Sequence, residues 1–470
     1  MAHGGGTGRR FGISASRPRL VAVLAVLAVL APACSAPSGP GPIAQQAGVW
    51  RSDGYGWIFA IDGGQLKTYE TTTISCIPGR ELEQISTPGA DGAVEYGRDN
   101  VVATHSLRRG PDGAATLHLW GTAADVDLIP LPAVAPECAR QLPDDPVTTF
   151  DVFWATFAEN YNSFPRKNID PDALRDRYRS DVSADTDPEE LVGIFQQMLR
   201  PLGDAHTSIT GGGRYFSGER PGTNQASSDD ISAAVDDHLR LDLGVTAIET
   251  FAGDQIAYAD LPEGRGYLRI TGFDDYSEKD SSFQASSAEL KRVLDTVFTQ
   301  ARVDSWRGLV IDVRDNTGGD DALALQVAAR LTDTPYTAYS KQARNDPVDP
   351  TRYGRLQTVT VTPADSPRYT GPLRVLTSDL TISAGETFVQ AVMGRSPEPS
   401  RVGTPTQGVF GDVLECQLPN GWKVGLGNED YYGPDGRNYE GIGIPPTITT
   451  PVFTPEELAL HRDSALDTPW

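Results

Sequence analysis

From about residue 238 to 452, short apolar strands alternate with helical stretches, and that alternation restricts the segment to an α/β architecture with crossover helices. Residues 266–270 read as a strand and 288–301 as a helix. Residues 309–313, apolar except for Asp312, read as a strand buried on both faces of a parallel sheet. A helix over 320–331, a strand over 373–376 and a helix over 384–393 follow. Ahead of this block, Phe150, Phe153, Trp154 and Phe157 fall at helical spacing, with Tyr161 next, and this stripe reads as packing. Residues 171–178 and 188–199 also read as helices, the second capped by Asp187. The Gly- and Ser-rich stretch 211–234 reads as a loop or lid, and 48–140 as a small β-rich barrel or sandwich without evident chemistry.

The first residues stand apart from this fold. Arg9, Arg10, Arg17 and Arg19 precede the apolar run 20–30, which ends in Ala31-Pro32-Ala33-Cys34. A basic segment, a short apolar run and small residues at its end describe an export signal, and the run is too short for a stable membrane span. Cys34 admits two readings: the lipidated first residue of a mature lipoprotein on a flexible tether, or part of a signal removed by an ordinary peptidase. The first gives a protein of the cell envelope, anchored by lipid to the outer face of the cytoplasmic membrane. The expected divisions are a signal over 1–34, a linker over 35–47, the β-rich domain over 48–140, a helical subdomain over 146–210, the loop over 211–234 and a catalytic core over 235–455. Net charge is −23, with the acidic residues spread along the chain, which argues against nucleic-acid binding. An oxidising compartment permits a Cys76–Cys138 bridge within the first domain, leaving Cys416 over. Six scattered histidines form no metal-binding motif, so no metal or organic cofactor is expected.

Three segments place reactive or small residues at junctions between elements. Residues 313–321, Val-Arg-Asp-Asn-Thr-Gly-Gly-Asp-Asp, follow the buried strand and open a helix; this is half of an oxyanion hole or simply a tight turn. Residues 377–386, Thr-Ser-Asp-Leu-Thr-Ile-Ser-Ala-Gly-Glu, put Ser383 at a helix start, where serine commonly serves as a cap. The same position exposes a hydroxyl and sets the Ala384 N–H beside a developing oxyanion. In Asp204-Ala205-His206-Thr207, a lone histidine reads as structural or as the base that a serine nucleophile needs.

Taken in order, Leu-Gly-Asp-Ala-His-Thr, Val-Ile-Asp-Val-Arg-Asp-Asn-Thr-Gly-Gly and Ser-Ala-Gly-Glu resemble the S41 serine peptidases. The closing stretch 432–446 resembles that family's final hairpin, and the Phe150–Tyr161 stripe its helical subdomain. The likeness spans about 146–452. It implies a ClpP/crotonase-like α/β core with an N-terminal helical subdomain, preceded here by the small β-rich domain. Family members that use a Ser–Lys pair carry the lysine in a Gly-Lys-Gly segment; the matching stretch 402–411 has none, and Lys423 reads as an outward residue of a hairpin. The resemblance therefore implies the tricorn-like design, with Ser383 as nucleophile, His206 as base and Glu440 orienting the imidazole directly or through another side chain. Oxyanion donors would be Ala384 and one of Gly318 or Gly319. The tricorn protease has a serine where Ala205 stands, and no segment reads as a PDZ domain. The implied activity is hydrolysis of peptide or protein substrates. A binding protein for apolar ligands on the same scaffold, and a serine esterase, are the competing readings. With a carboxylate partner, the base is expected to titrate somewhat above about 6.5.

Overall fold

The computed structural model describes residues 47–98, 102–344, 346, 349 and 351–470, so the export segment and Cys34 lie outside the described residues. The β-rich domain is a closed, antiparallel up-and-down barrel. Its strands are β1 (Gly48–Ser52), β2 (Trp57–Asp62), β3 (Gln65–Thr71), β4 (Cys76–Gln84), β5 (Val94–Arg98), β6 (Val102–Arg109), β7 (Ala115–Leu119) and β8 (Asp125–Leu131). Closure removes every edge that would otherwise seek a partner. Trp50, Phe59, Leu66, Leu82, Tyr96 and Leu117, at alternating positions, fill the interior. Cys76 and Cys138 form a disulfide that ties β4 to the short turn leaving the barrel.

Three helices follow: α1 (Pro146–Asn160), α2 (Pro171–Arg179) and α3 (Pro188–Leu199). Each begins with a proline in its first turn behind an aspartate cap, Asp145, Asp170 or Asp187. The aromatic stripe of α1 packs against Phe195 of α3, with Phe153 and Phe195 stacked at 4.0 Å. The chain then forms β9 (Ser208–Gly211) and β10 (Arg214–Ser217), and α4 (Ser228–Asp237). The stretch 211–234 is thus a hairpin and a helix start, not one loop: Gly212 and Gly213 take the left-handed turn, and Ser227 caps α4.

The core is a seven-stranded sheet in the order β11-β12-β13-β14-β17-β18-β22. These are β11 (Glu249–Phe251), β12 (Ile256–Leu261), β13 (Arg265–Ile270), β14 (Gly308–Asp312), β17 (Leu373–Thr377), β18 (Ser400–Gly403) and β22 (Ile448–Thr449), with β13 onward parallel. The expected helix over 288–301 is two: α5 (Phe283–Val297) ends at Phe298, and Thr299 caps α6 (Gln300–Ser305) by accepting the Arg302 N–H. The helix expected over 320–331 is the shorter α7 (Asp321–Ala328), while α8 (Ala384–Met393) has the expected bounds. A three-stranded sheet joins β15 (Tyr336–Ala343), β16 (Gln357–Val361) and β21 (Glu429–Tyr432), and a four-stranded sheet runs β10-β9-β20-β19, with β19 (Val413–Gln417) and β20 (Lys423–Gly427). The stretch 432–446 is not a hairpin. It is a looped segment with turns at Gly436, Gly441 and Gly443, packed on residues 406–408 through the Ile444 N–H to Thr406 and the Gly441 N–H to Gly408. A short α9 (Pro455–Ala459) precedes the C-terminal tail.

Candidate active site

Strands β14 and β17 are parallel neighbours, with Asp312 opposite Leu376, so their carboxyl ends open side by side. Crevices at such carboxyl ends are where α/β sheets place ligands. The first end carries Gly318 and Gly319, the second Ser383. A buried ion-pair network anchors the first: Arg314 binds Asp312 and Asp463, and Tyr267 donates to Asp312 at 2.7 Å. Ser378 donates its buried hydroxyl to the Arg314 carbonyl, and Thr381 donates to Val313 at 2.8 Å, which locks the second junction onto the first.

Ser383 is half-buried and stands at the N-terminus of α8 without capping it. Its φ of 54° and ψ of −122° are strained for a residue with a side chain, and its hydroxyl has no partner among the described residues. A strand-to-helix turn that forces a serine into this conformation presents the Oγ outward, as a nucleophile elbow does. The serine is pressed against Gly318, where a Cβ would lie 2.6 Å from the Ser383 Cβ.

The neighbouring amides differ in availability. The Gly318 N–H is taken by the Asn316 side chain at 3.0 Å, while Asn316 also donates to Ile270 at 2.9 Å. Phe273 donates to the Gly318 carbonyl and accepts the Asp320 N–H, so the Gly319 N–H between them points away from that bridge. Among the described residues, neither the Gly319 nor the Ala384 N–H has an acceptor.

One irregular segment, 408–411, then meets every other group that the sequence singles out. Val409 accepts the Ser383 N–H at 3.1 Å. Phe410 donates to the Glu440 carboxyl at 2.9 Å. The His206 ring lies against the Gly411 carbonyl. The segment itself is clamped by Glu386, fully buried on α8, which accepts the N–H groups of Gly408 and Val409 at 2.7 Å each. Ser383, His206 and Glu440 are therefore gathered on three consecutive residues, 409–411. No direct hydrogen bond joins them, and His206 Nδ1 is buried without a partner among the described residues.

The charges around the imidazole are not those expected from the sequence. Burial lowers the His206 pKa, more than the opposing pull of Asp204, the Gly411 carbonyl and Asp412. The shift is thus downward where a carboxylate-raised value was expected. Asp204 accepts the backbone N–H of His206 at 2.9 Å and the Tyr161 hydroxyl at 2.6 Å. Glu440 is half-buried, and lost solvation together with Asp204 holds its carboxyl well above the usual range. Burial likewise pushes Glu386 up to about 8. Asp204, Tyr161, Asn316 and Glu386 are site residues to which sequence reasoning assigned no role; Asp204 and Glu386 stand inside the quoted motifs, two and three residues from His206 and Ser383.

Three lysines lie near these groups, and Lys167 Nζ stands 4.0 Å from Asp204. Lys423 is exposed at the start of β20, as expected of an outward residue. Lys341 is buried, but Asp412 at 2.9 Å and Glu429 at 3.0 Å hold it protonated. Among the described residues, no group of His, Cys, Asp and Glu is arranged to hold a metal ion.

Residues 264–450 match the model of peptidase family S41, and 144–200 match that of the tricorn protease C1 domain. Curated proteins give no match. A solved structure from Parabacteroides merdae, described as a candidate peptidase, superposes with a TM-score of 0.57 at 24% identity, covering 69% of this chain and 95% of that one. Mature CPAF complexed with lactacystin gives 0.48 at 12% identity (67% and 95% covered), and the photosystem II D1 C-terminal processing protease 0.39 at 15% (65% and 93%). The first of these carries the likeness of fold. Residues 264–450 therefore form a domain of peptidase family S41, the serine-type peptidases, and a segment similar to the tricorn C1 domain precedes it in the chain.

Proposed function

We propose that this protein is an exported peptidase that cleaves peptide bonds with Ser383 as nucleophile and His206 as general base. Ser383 attacks the scissile carbonyl as His206 takes its proton; the imidazolium returns that proton to the leaving amine. The N–H groups of Gly319 and Ala384 receive the oxyanion, since the Gly318 N–H is already engaged by Asn316. Asp204 and Asp412 favour the imidazolium, while Glu440, through the Phe410 N–H, holds the segment on which the imidazole rests. The observation that carries this reading is the convergence of Ser383, His206 and Glu440 on residues 409–411. The remaining gap between Ser383 and His206 closes when substrate binds, because catalytic hydrogen bonds are often long in free enzymes. Export and attachment to the cell envelope through a lipid on Cys34 rest on the N-terminal sequence.

The test is turnover of a mixed peptide pool by purified variants. His206→Ala should lose on the order of 10³-fold or more in kcat, and Glu440→Gln less, since it transfers no proton. Activity should survive EDTA and thiol blockers. A dead Lys423→Ala beside an active His206→Ala would show that the base is a lysine.

A further inference from the structure

A cavity of about 330 Å³ opens at one end of the barrel, walled by both parts of the chain. Trp57, Phe59, His105 and Leu119 line it from the barrel, and Val413 and Glu415 from β19. Its apolar side is aromatic: Trp57 packs edge-on to Phe59 at 5.9 Å and stacks on Tyr55 at 4.8 Å. Burial lowers the His105 pKa to about 4, so its ring is neutral at pH 7, while Glu70 and Arg80 place charge elsewhere on the barrel side of the cavity.

The cavity neighbours the cleft that contains His206, and the two share part of their walls. Val413, Glu415 and Lys423 also line the cleft of about 490 Å³ that holds His206. Val413, which borders both spaces, is apolar yet 45% exposed.

Strand β19 is also a free edge. The Leu418 N–H donates to Trp422, and the β19–β20 register has no bulge, so Leu414 and Cys416 make the ladder bonds to β20. In an antiparallel pair the alternate residues turn their backbone groups outward, here Val413, Glu415 and Gln417. The Glu70 carboxyl accepts the Gln417 N–H at 2.5 Å and closes the edge there. Val413 and Glu415 have no such cap among the described residues. An unpaired edge of this kind pairs with an extended peptide, and pockets beside it select side chains.

We propose that the barrel mouth is a substrate subsite: the peptide to be cleaved adds as a strand to the Val413–Glu415 edge and places a large apolar or aromatic side chain among Trp57, Phe59 and Leu119. This rests on the reading of Ser383 as nucleophile. Val409 holds the Ser383 N–H, and Val413 lies four residues further on, at most roughly 13 Å away at about 3.3 Å per residue. The selected residue therefore lies about three to five positions from the scissile bond. The Glu70 cap ends the added strand at Gln417, so the barrel also limits how far the substrate extends.

Cleavage of peptide libraries randomised one position at a time tests this on the full-length protein, with fluorophosphonate labelling of wild-type Ser383 measured in parallel. At one position three to five residues from the cut, Phe, Tyr or Leu should be preferred over Gly or Asp by about tenfold or more in kcat/KM. Thr68→Trp, which fills the cavity from β3, should flatten that preference, and so should Trp57→Ala. A flat wild-type profile in protein whose Ser383 labels overturns the subsite, as does a preference that survives folded Thr68→Trp protein. Failure of Ser383 to label overturns instead the reading on which the subsite rests.

Discussion

Glu386 offers the sharpest structural test because its substitution disturbs the site without touching a reacting atom. Both carboxyl oxygens accept buried backbone N–H groups, from Gly408 and Val409, at 2.7 Å each. Glu386→Ala leaves two buried donors unsatisfied. At about 1–3 kcal/mol for each orphaned donor, the cost is about 2–6 kcal/mol. Glu386→Gln keeps one acceptor and turns its amide N–H₂ toward the other donor, so it should cost about 1–3 kcal/mol. The segment freed in this way carries the acceptor for the Ser383 N–H, the donor to Glu440 and the carbonyl beside His206. Loss of positioning should slow fluorophosphonate labelling by about tenfold or more at temperatures where the variant is folded. Urea denaturation at pH 7 reads the first quantity and the labelling rate the second. Glu386→Gln protein with wild-type stability and a wild-type labelling rate would refute the view that this carboxyl clamps the site.

Two further outcomes follow from the site's geometry and one from the N-terminal sequence. Because burial lowers the His206 pKa, the acidic limb of kcat/KM should lie below about 6.5, and a limb above that value would contradict the site's electrostatics. The sign for stability is the same: between the lowered folded value and about 6.5 the unfolded chain binds more protons, so this residue makes stability rise with pH across that window. Ser378→Ala should keep its label at Ser383 while losing stability, since its hydroxyl is spent on the Arg314 carbonyl; loss of labelling with the fold intact would give Ser378 a chemical role. Cys34→Ala should release the protein from the membrane fraction of its native host, and unchanged attachment would exclude a lipid on Cys34 as the anchor.

The parts legible in the sequence are those written locally. A buried strand, a glycine pair and a helix start appear within ten residues, so the two junctions at Gly318 and Ser383 could be placed before any coordinates, as could the bounds of α8. The α/β class followed from the alternation of elements, and the barrel was narrowed to barrel or sandwich. Segment 408–411 was not legible, because it has no periodicity and its meaning comes from what packs on it. The choice between Gly318 and Gly319 depends on where the Asn316 side chain turns, which spacing does not reveal. The break between α5 and α6 was missed because Thr299 sits inside an otherwise helical pattern, and only its cap to Arg302 restarts the helix. The direction of the His206 shift depends on burial, a tertiary property that outweighs its acidic neighbours. The barrel-mouth cavity joins Glu70 to Gln417, 347 residues apart, and no local pattern records that contact.

The most direct measurement of the central claim is the site of covalent capture. Protein labelled with a fluorophosphonate, digested and sequenced by mass spectrometry, should carry the adduct on Ser383, and labelling should increase with pH along one ionisation below about 6.5. Ser383→Ala should remain unlabelled and inactive toward peptides. An adduct on another serine in wild-type protein, or peptide hydrolysis that persists in folded Ser383→Ala, would contradict it.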